Sequence, residues 1–182
     1  MKRVLYFLLF SIAAFGCTAG EVDFSRFAGS NFWAAGGKAG VAPEGDGLLV
    51  SWDPAVRRFM EFTFPVAQPL GTFQIATVTV KLKRSAQSTL SALSLRLMDR
   101  DGEIFQFRAA AGEGVEELNY RIDGNDTARA ASWKSSAEAT MNRKLDFPVK
   151  LLGFAVDYPA GSAPGEVRIS SMTYEKFPEE RE

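Results

Sequence analysis

Between residues 60 and 169 apolar and polar side chains alternate with period two, and that pattern restricts the fold more than any other feature of the chain. Met60, Phe62 and Phe64 alternate with Glu61 and Thr63, Val78, Val80 and Leu82 with Thr79 and Lys81, and Leu93, Leu95 and Leu97 with Ser94 and Arg96. The alternation continues in Phe105 and Phe107 about Gln106 and in Leu118, Tyr120 and Ile122 about Asn119 and Arg121. It then runs through Leu152, Phe154, Val156 and Tyr158 about Ala155 and Asp157, and ends at Val167 and Ile169. Each run reads as a strand with one face in a core and the other in water. Leu48, Val50 and Trp52 share a face in the same way, which assigns Trp52 to the core.

Turn residues punctuate these runs, as in Pro69-Leu70-Gly71, Asp123-Gly124-Asn125 and the Gly/Pro/Ser stretch 159–165. Asp101-Gly102 is the sharpest signal, because it joins two alternating runs as a tight hairpin does. Nine to eleven strands at near-regular spacing predict an all-β fold, an antiparallel sandwich or a barrel. Short helical turns are expected only within 113–119 and 128–139. One domain over residues 23–177 is expected, with a short linker at 17–22 before it and a polar, frayed tail at 178–182.

The chain of 182 residues carries 21 Lys+Arg against 22 Asp+Glu, so it has no basic surplus for a phosphate backbone and nucleic acid is not an expected partner. It contains no histidine, which excludes His-ligated zinc and every Ser-His or Cys-His nucleophile pair. Catalysis would have to run on carboxylates, tyrosine or lysine, and no cofactor is expected.

At the N-terminus Lys2 and Arg3 precede the apolar run 4–14 (VLYFLLFSIAA), the length of a signal-peptide hydrophobic region and too short to span a bilayer. Residues 1–16 are therefore read as an export leader. Two processing routes stay open, with retention of the run as an uncleaved anchor as the third reading. Ala14-Phe15-Gly16-Cys17 resembles the lipobox of bacterial lipoproteins, in which the cysteine becomes the lipidated first residue; an ordinary signal peptidase could instead cut after Ala19. The first gives an envelope lipoprotein held to a membrane only through Cys17, the second a secreted or periplasmic protein. The lack of a cysteine pair matters little, because a domain of this size builds a core without staples.

The stretch 144–159 (KLDFPVKLLGFAVDYP), followed after a turn by 165–174 (GEVRISSMTY), resembles the closing hairpin of jelly-roll carbohydrate-binding modules of the galactose-binding-like superfamily. There a "P-h-x-L-x-G-h-x-h-D" strand leads to a "G-x-h-x-h-D-D-h" strand. Residues 52–82, where a Trp-Asp strand precedes a long aromatic strand, resemble the front half of such a module. The resemblance implies a jelly-roll sandwich that binds a carbohydrate or surface polymer. Its acidic pair in the last strand, which serves a structural calcium in many modules, is replaced here by Ser170 and Ser171, so the resemblance implies no metal.

A sugar site needs a rigid aromatic platform and a few polar groups for hydroxyls. Trp33 and Trp133 lie among small polar residues, as loop-borne ligand contacts do; the competing assignment is that each caps an end of the core. Arg96, Gln106, Arg108, Asn119, Arg121 and Asp157 all project opposite to core positions and could share one polar sheet face. Asp99, Asp101 and Glu103 around the hairpin read as a soluble acidic turn, too poor in oxygen ligands for calcium. Carboxylates for glycoside hydrolysis could come from Glu61, Glu103, Asp157 or Glu166, if two of them faced each other across a cleft. Three functions follow in order: a non-catalytic glycan- or surface-polymer-binding module, an envelope assembly protein that meets another protein, and a carboxylate-based glycosidase or polysaccharide lyase.

Overall fold

The structure is a computed structural model and describes residues 18–27, 32–35, 38–53, 59–86, 88–122 and 130–177. The leader, Cys17 and the tail 178–182 lie outside the described residues. The described chain forms twelve strands: β1 (Thr18–Glu21), β2 (Trp33–Ala35), β3 (Lys38–Glu44), β4 (Gly47–Asp53), β5 (Phe59–Pro69), β6 (Ile75–Arg84), β7 (Ala92–Met98), β8 (Glu103–Ala110), β9 (Glu117–Arg121), β10 (Ala131–Lys134), β11 (Lys150–Asp157) and β12 (Gly165–Lys176). The count exceeds the expected nine to eleven because β1, β2 and β10 are only three or four residues long, too short for alternation to show. The stretch 113–119 contains the start of β9 instead of a helical turn, and the described part of 128–139 holds β10 and a turn. The one helical element among the described residues is a 3-10 turn, Phe24–Phe27, whose Phe24 and Phe27 point inward.

Two antiparallel sheets face each other. The first runs β3-β4-β12-β6-β9, with β1 also paired to β12; the second runs β10-β8-β7-β11-β5-β2. The first half of the long β12 pairs with β4, and its second half takes β1 through Glu21 opposite Thr173. Residues 17–22, expected as a linker, thus contain a paired strand. This corrects the expectation: four residues with one charge give no periodicity, yet they complete a sheet.

Between the sheets lies a core in which every run of alternating apolar residues contributes its inward face: Met60, Phe62 and Phe64, Val78, Val80 and Leu82, Leu93, Leu95 and Leu97, Val167 and Ile169 are all buried. A phenylalanine cluster forms one end, with Phe27 stacked on Phe64 at 4.6 Å and Phe62 tilted against Phe154 at 5.5 Å. Trp52 is in the core as expected, stacked on Tyr158 with an interplanar angle of 1°.

In β11 the alternation fails. Leu151 is buried and Leu152 is not, because a bulge between Leu151 and Gly153 resets the phase of β11 against both its neighbours. Gly153 is required there: a Cβ would stand 2.0 Å from the Phe62 carbonyl oxygen. The β7–β8 hairpin closes at Gly102, whose φ of 82° favours glycine.

The acidic residues of that hairpin are not a solvated turn. Asp99 and Glu103 are both buried, and each holds backbone N–H groups. Asp99 accepts from Asp101 and Glu103 through Oδ1 and from Asp146 through Oδ2, while Glu103 Oε2 accepts from Asn142 and Arg143. Together they pin the segment that follows β10 onto the hairpin. Burial pushes the Asp99 carboxyl above its ordinary value, and the N–H groups it accepts pull in the opposite direction.

Candidate functional site

On the outer face of the second sheet the central strands carry small residues. Register places Ala92 and Ser94 of β7 beside Asp157 and Ala155 of β11, with Gly153 beside Arg96. Long side chains from the strands around them reach over this floor. Adjacent strands stand about 4.8 Å apart, so a contact between second neighbours must span about twice that, which an arginine can do. Arg108 of β8 crosses β7 to Asp157 of β11, its Nε donating to Oδ2 at 2.7 Å. Arg96 of β7 crosses β11 to an ion pair with Glu61 of β5. The register neighbours of both arms are small, Ser94 beside Arg108 and Gly153 beside Arg96.

These side chains enclose a groove of about 730 Å³ lined by Phe59, Glu61, Arg96, Gln106, Arg108, Trp133, Ala155, Asp157 and Tyr158. Arg96 is its most constrained member. Besides Glu61, its Nε donates to Gln106 Oε1 at 2.8 Å, and its guanidinium carbon sits 5.1 Å from the centroid of the Trp133 ring. Trp133 is half-buried on the edge strand β10, opposite Ile104, on the groove and not in the core. Phe59 is 42% exposed and stands opposite Asp157 in the register. Tyr158 closes the groove near its stack on Trp52; burial and the nearby Asp53 carboxylate both push its phenol upward.

Of the residues expected to form the site, the structure brings Trp133, Arg96, Gln106, Arg108 and Asp157 into this one groove. Asn119 and Arg121 do not join them. They share the outward parity but belong to β9 in the opposite sheet, where Asn119 Oδ1 accepts from Thr79. Trp33 stands in β2 at the far edge of the groove's sheet, its backbone opposite Thr63; its side chain lies outside the described residues. Phe59, Tyr158 and Glu61's place beside Arg96 were missed as site features, because they depend on the pairing of strands distant in sequence. Of the four carboxylates considered for hydrolysis, Glu61 and Asp157 share the groove, each committed to an arginine, whereas Glu103 is buried under the hairpin and Glu166 lies on β12 of the other sheet. Ser170 of that strand donates to the Lys81 carbonyl, and among the described residues no cluster of three His, Cys, Asp or Glu could hold a metal. A second recess of about 740 Å³ at the loop end near Arg84 and Pro159 has no aromatic ring among its described lining.

No family model and no curated protein sequence matches the chain. Solved structures do resemble it. A family 11 carbohydrate-binding module from Clostridium thermocellum, solved with a β-1,3-1,4-mixed-linked tetrasaccharide, superposes with a TM-score of 0.55 at 11% identity, over 86% of this chain and 94% of that one. The chain has the jelly-roll fold of such modules. PfGH50B gives 0.52 at 16% identity over 84% of this chain, and an exo-β-agarase gives 0.51 at 14% over 82%. This chain spans about a quarter of the length of those two, 23% and 24%. Expectation and structure therefore agree on an antiparallel jelly-roll sandwich.

Proposed function

We propose that this protein is a non-catalytic module that binds a glycan in the groove over β5, β7, β8, β10 and β11. The observation that carries the proposal is the groove itself: one sheet face combines half-exposed aromatic rings with guanidinium, amide and carboxylate groups whose positions are fixed by one another. Rings offer the C–H face of a pyranose an apolar surface, and pre-set polar groups receive its hydroxyls without paying to be ordered. A structural neighbour of this fold holds a tetrasaccharide, which supports the proposal. We further propose that it works outside the cytoplasm, with residues 1–16 as the export leader, Cys17 as the site of lipid attachment and the sandwich as the working domain.

A glycan array followed by titration of the best binder tests the binding role. Trp133→Ala is expected to weaken that binder at least tenfold, while the melting temperature stays within about 2 °C, because a half-exposed edge ring contributes little to the core. Unchanged affinity in this variant, or an array without any bound glycan, would overturn the proposal.

A further inference from the structure

We infer that the groove is built for an acidic glycan, whose carboxylate or sulfate oxygens dock on the outward edge of Arg108. The inference rests on the glycan-binding role proposed above and names its ligand class. The groove holds two cations and two anions, so its formal charge is balanced, but the four groups are not equally accessible. Arg96 is 11% exposed and spent: Nε on Gln106, Nη2 on Glu61, and its plane against Trp133. Glu61 and Asp157 are 21% and 30% exposed. Arg108 is 57% exposed. A ligand entering from solvent therefore meets a cation first, with the carboxylates behind it.

The way Arg108 is held decides what it can grip. Its Nε edge is bound to Asp157, and among the described residues its two Nη groups have no hydrogen-bond partner. Asp157 thus fixes the guanidinium over the small floor of Ala92 and Ser94, with the Nη1/Nη2 edge left to a ligand. That edge presents two parallel N–H donors at the spacing of two oxygens on one carbon or sulfur atom, which a hydroxyl cannot match. Phe59, exposed opposite Asp157, lies where it can meet the face of the same sugar ring.

Two matched pairs of oligosaccharides test the inference on the full sandwich by calorimetry. Cellotetraose against the tetramer of β-1,4-glucuronate isolates a carboxylate; the neutral tetramer of β-carrageenan against its 4-sulfated κ-carrageenan counterpart isolates a sulfate ester. The acidic member of at least one pair is expected to bind tenfold or more tightly at low salt, with a preference that shrinks as ionic strength rises. Arg108→Gln is expected to erase that preference, and Arg108→Lys, which keeps the charge without the fork, to recover only part of it. Neutral members that bind as tightly as the acidic ones, or a preference that survives in Arg108→Gln, would overturn the inference and leave glycan binding standing. Absence of any glycan ligand, neutral or acidic, would remove both.

Discussion

Asp99 and Glu103 show how misleading a charge can be when it is read only along the chain. Around a hairpin tip, two carboxylates look like solubility; here they are buried acceptors for five backbone N–H groups, Asp101, Glu103 and Asp146 on one, Asn142 and Arg143 on the other. Arg143, one of these donors, has a φ of 60°. Removing a buried acceptor leaves its donors desolvated and unpaired, the costly side of hydrogen-bond energetics. Asp99→Ala is therefore expected to lose about 2–3 kcal/mol in urea unfolding. Glu103→Gln, which keeps one acceptor oxygen for Asn142 and Arg143, is expected to lose less than Glu103→Ala. The Arg108–Asp157 pair belongs at the other extreme: exposed ion pairs contribute about 0–1 kcal/mol, so it orients a side chain without holding the fold together.

At the scale of the elements, the decisive irregularity is the bulge in β11. Gly153→Ala is expected to destabilise by about 3 kcal/mol, because its Cβ would strike the Phe62 carbonyl and push β11 off β5. Proteolysis of the variant should report the loss first near β5. The same bulge marks where sequence alone stops. The strands β4 to β9, β11 and β12 announced themselves by parity while β3, rich in glycine and alanine, did not, and parity also put Arg96, Gln106, Arg108 and Asp157 on an outward face. Parity could not reveal that Leu151, not Leu152, faces inward, since one inserted residue is invisible in composition. Nor could it tell which sheet an outward residue joins: Asn119 has the same phase as Gln106 and ends on the opposite side of the molecule. Trp133 was legible from its small polar neighbours, but the Arg96 arm over its ring depends on β10 pairing with β8, a long-range fact.

For the molecule as a whole, attachment is the property to test. If Cys17 carries lipid, Cys17→Ser is expected to move the protein from the membrane fraction to the soluble one, and unchanged fractionation of that variant would reject lipidation. The pairing of β1 then acquires a geometric meaning. Glu21 stands opposite Thr173, and the strand begins at Thr18, one residue beyond the cysteine. A residue of chain spans at most about 3.6 Å. A lipoprotein of this kind would have no leash: the edge of the first sheet would lie against the headgroups and the sandwich could neither swing nor reach. Polymers would have to come to the bilayer surface to be captured, and inserting a flexible spacer between Cys17 and Thr18 would lengthen the capture radius without altering a single contact in the groove.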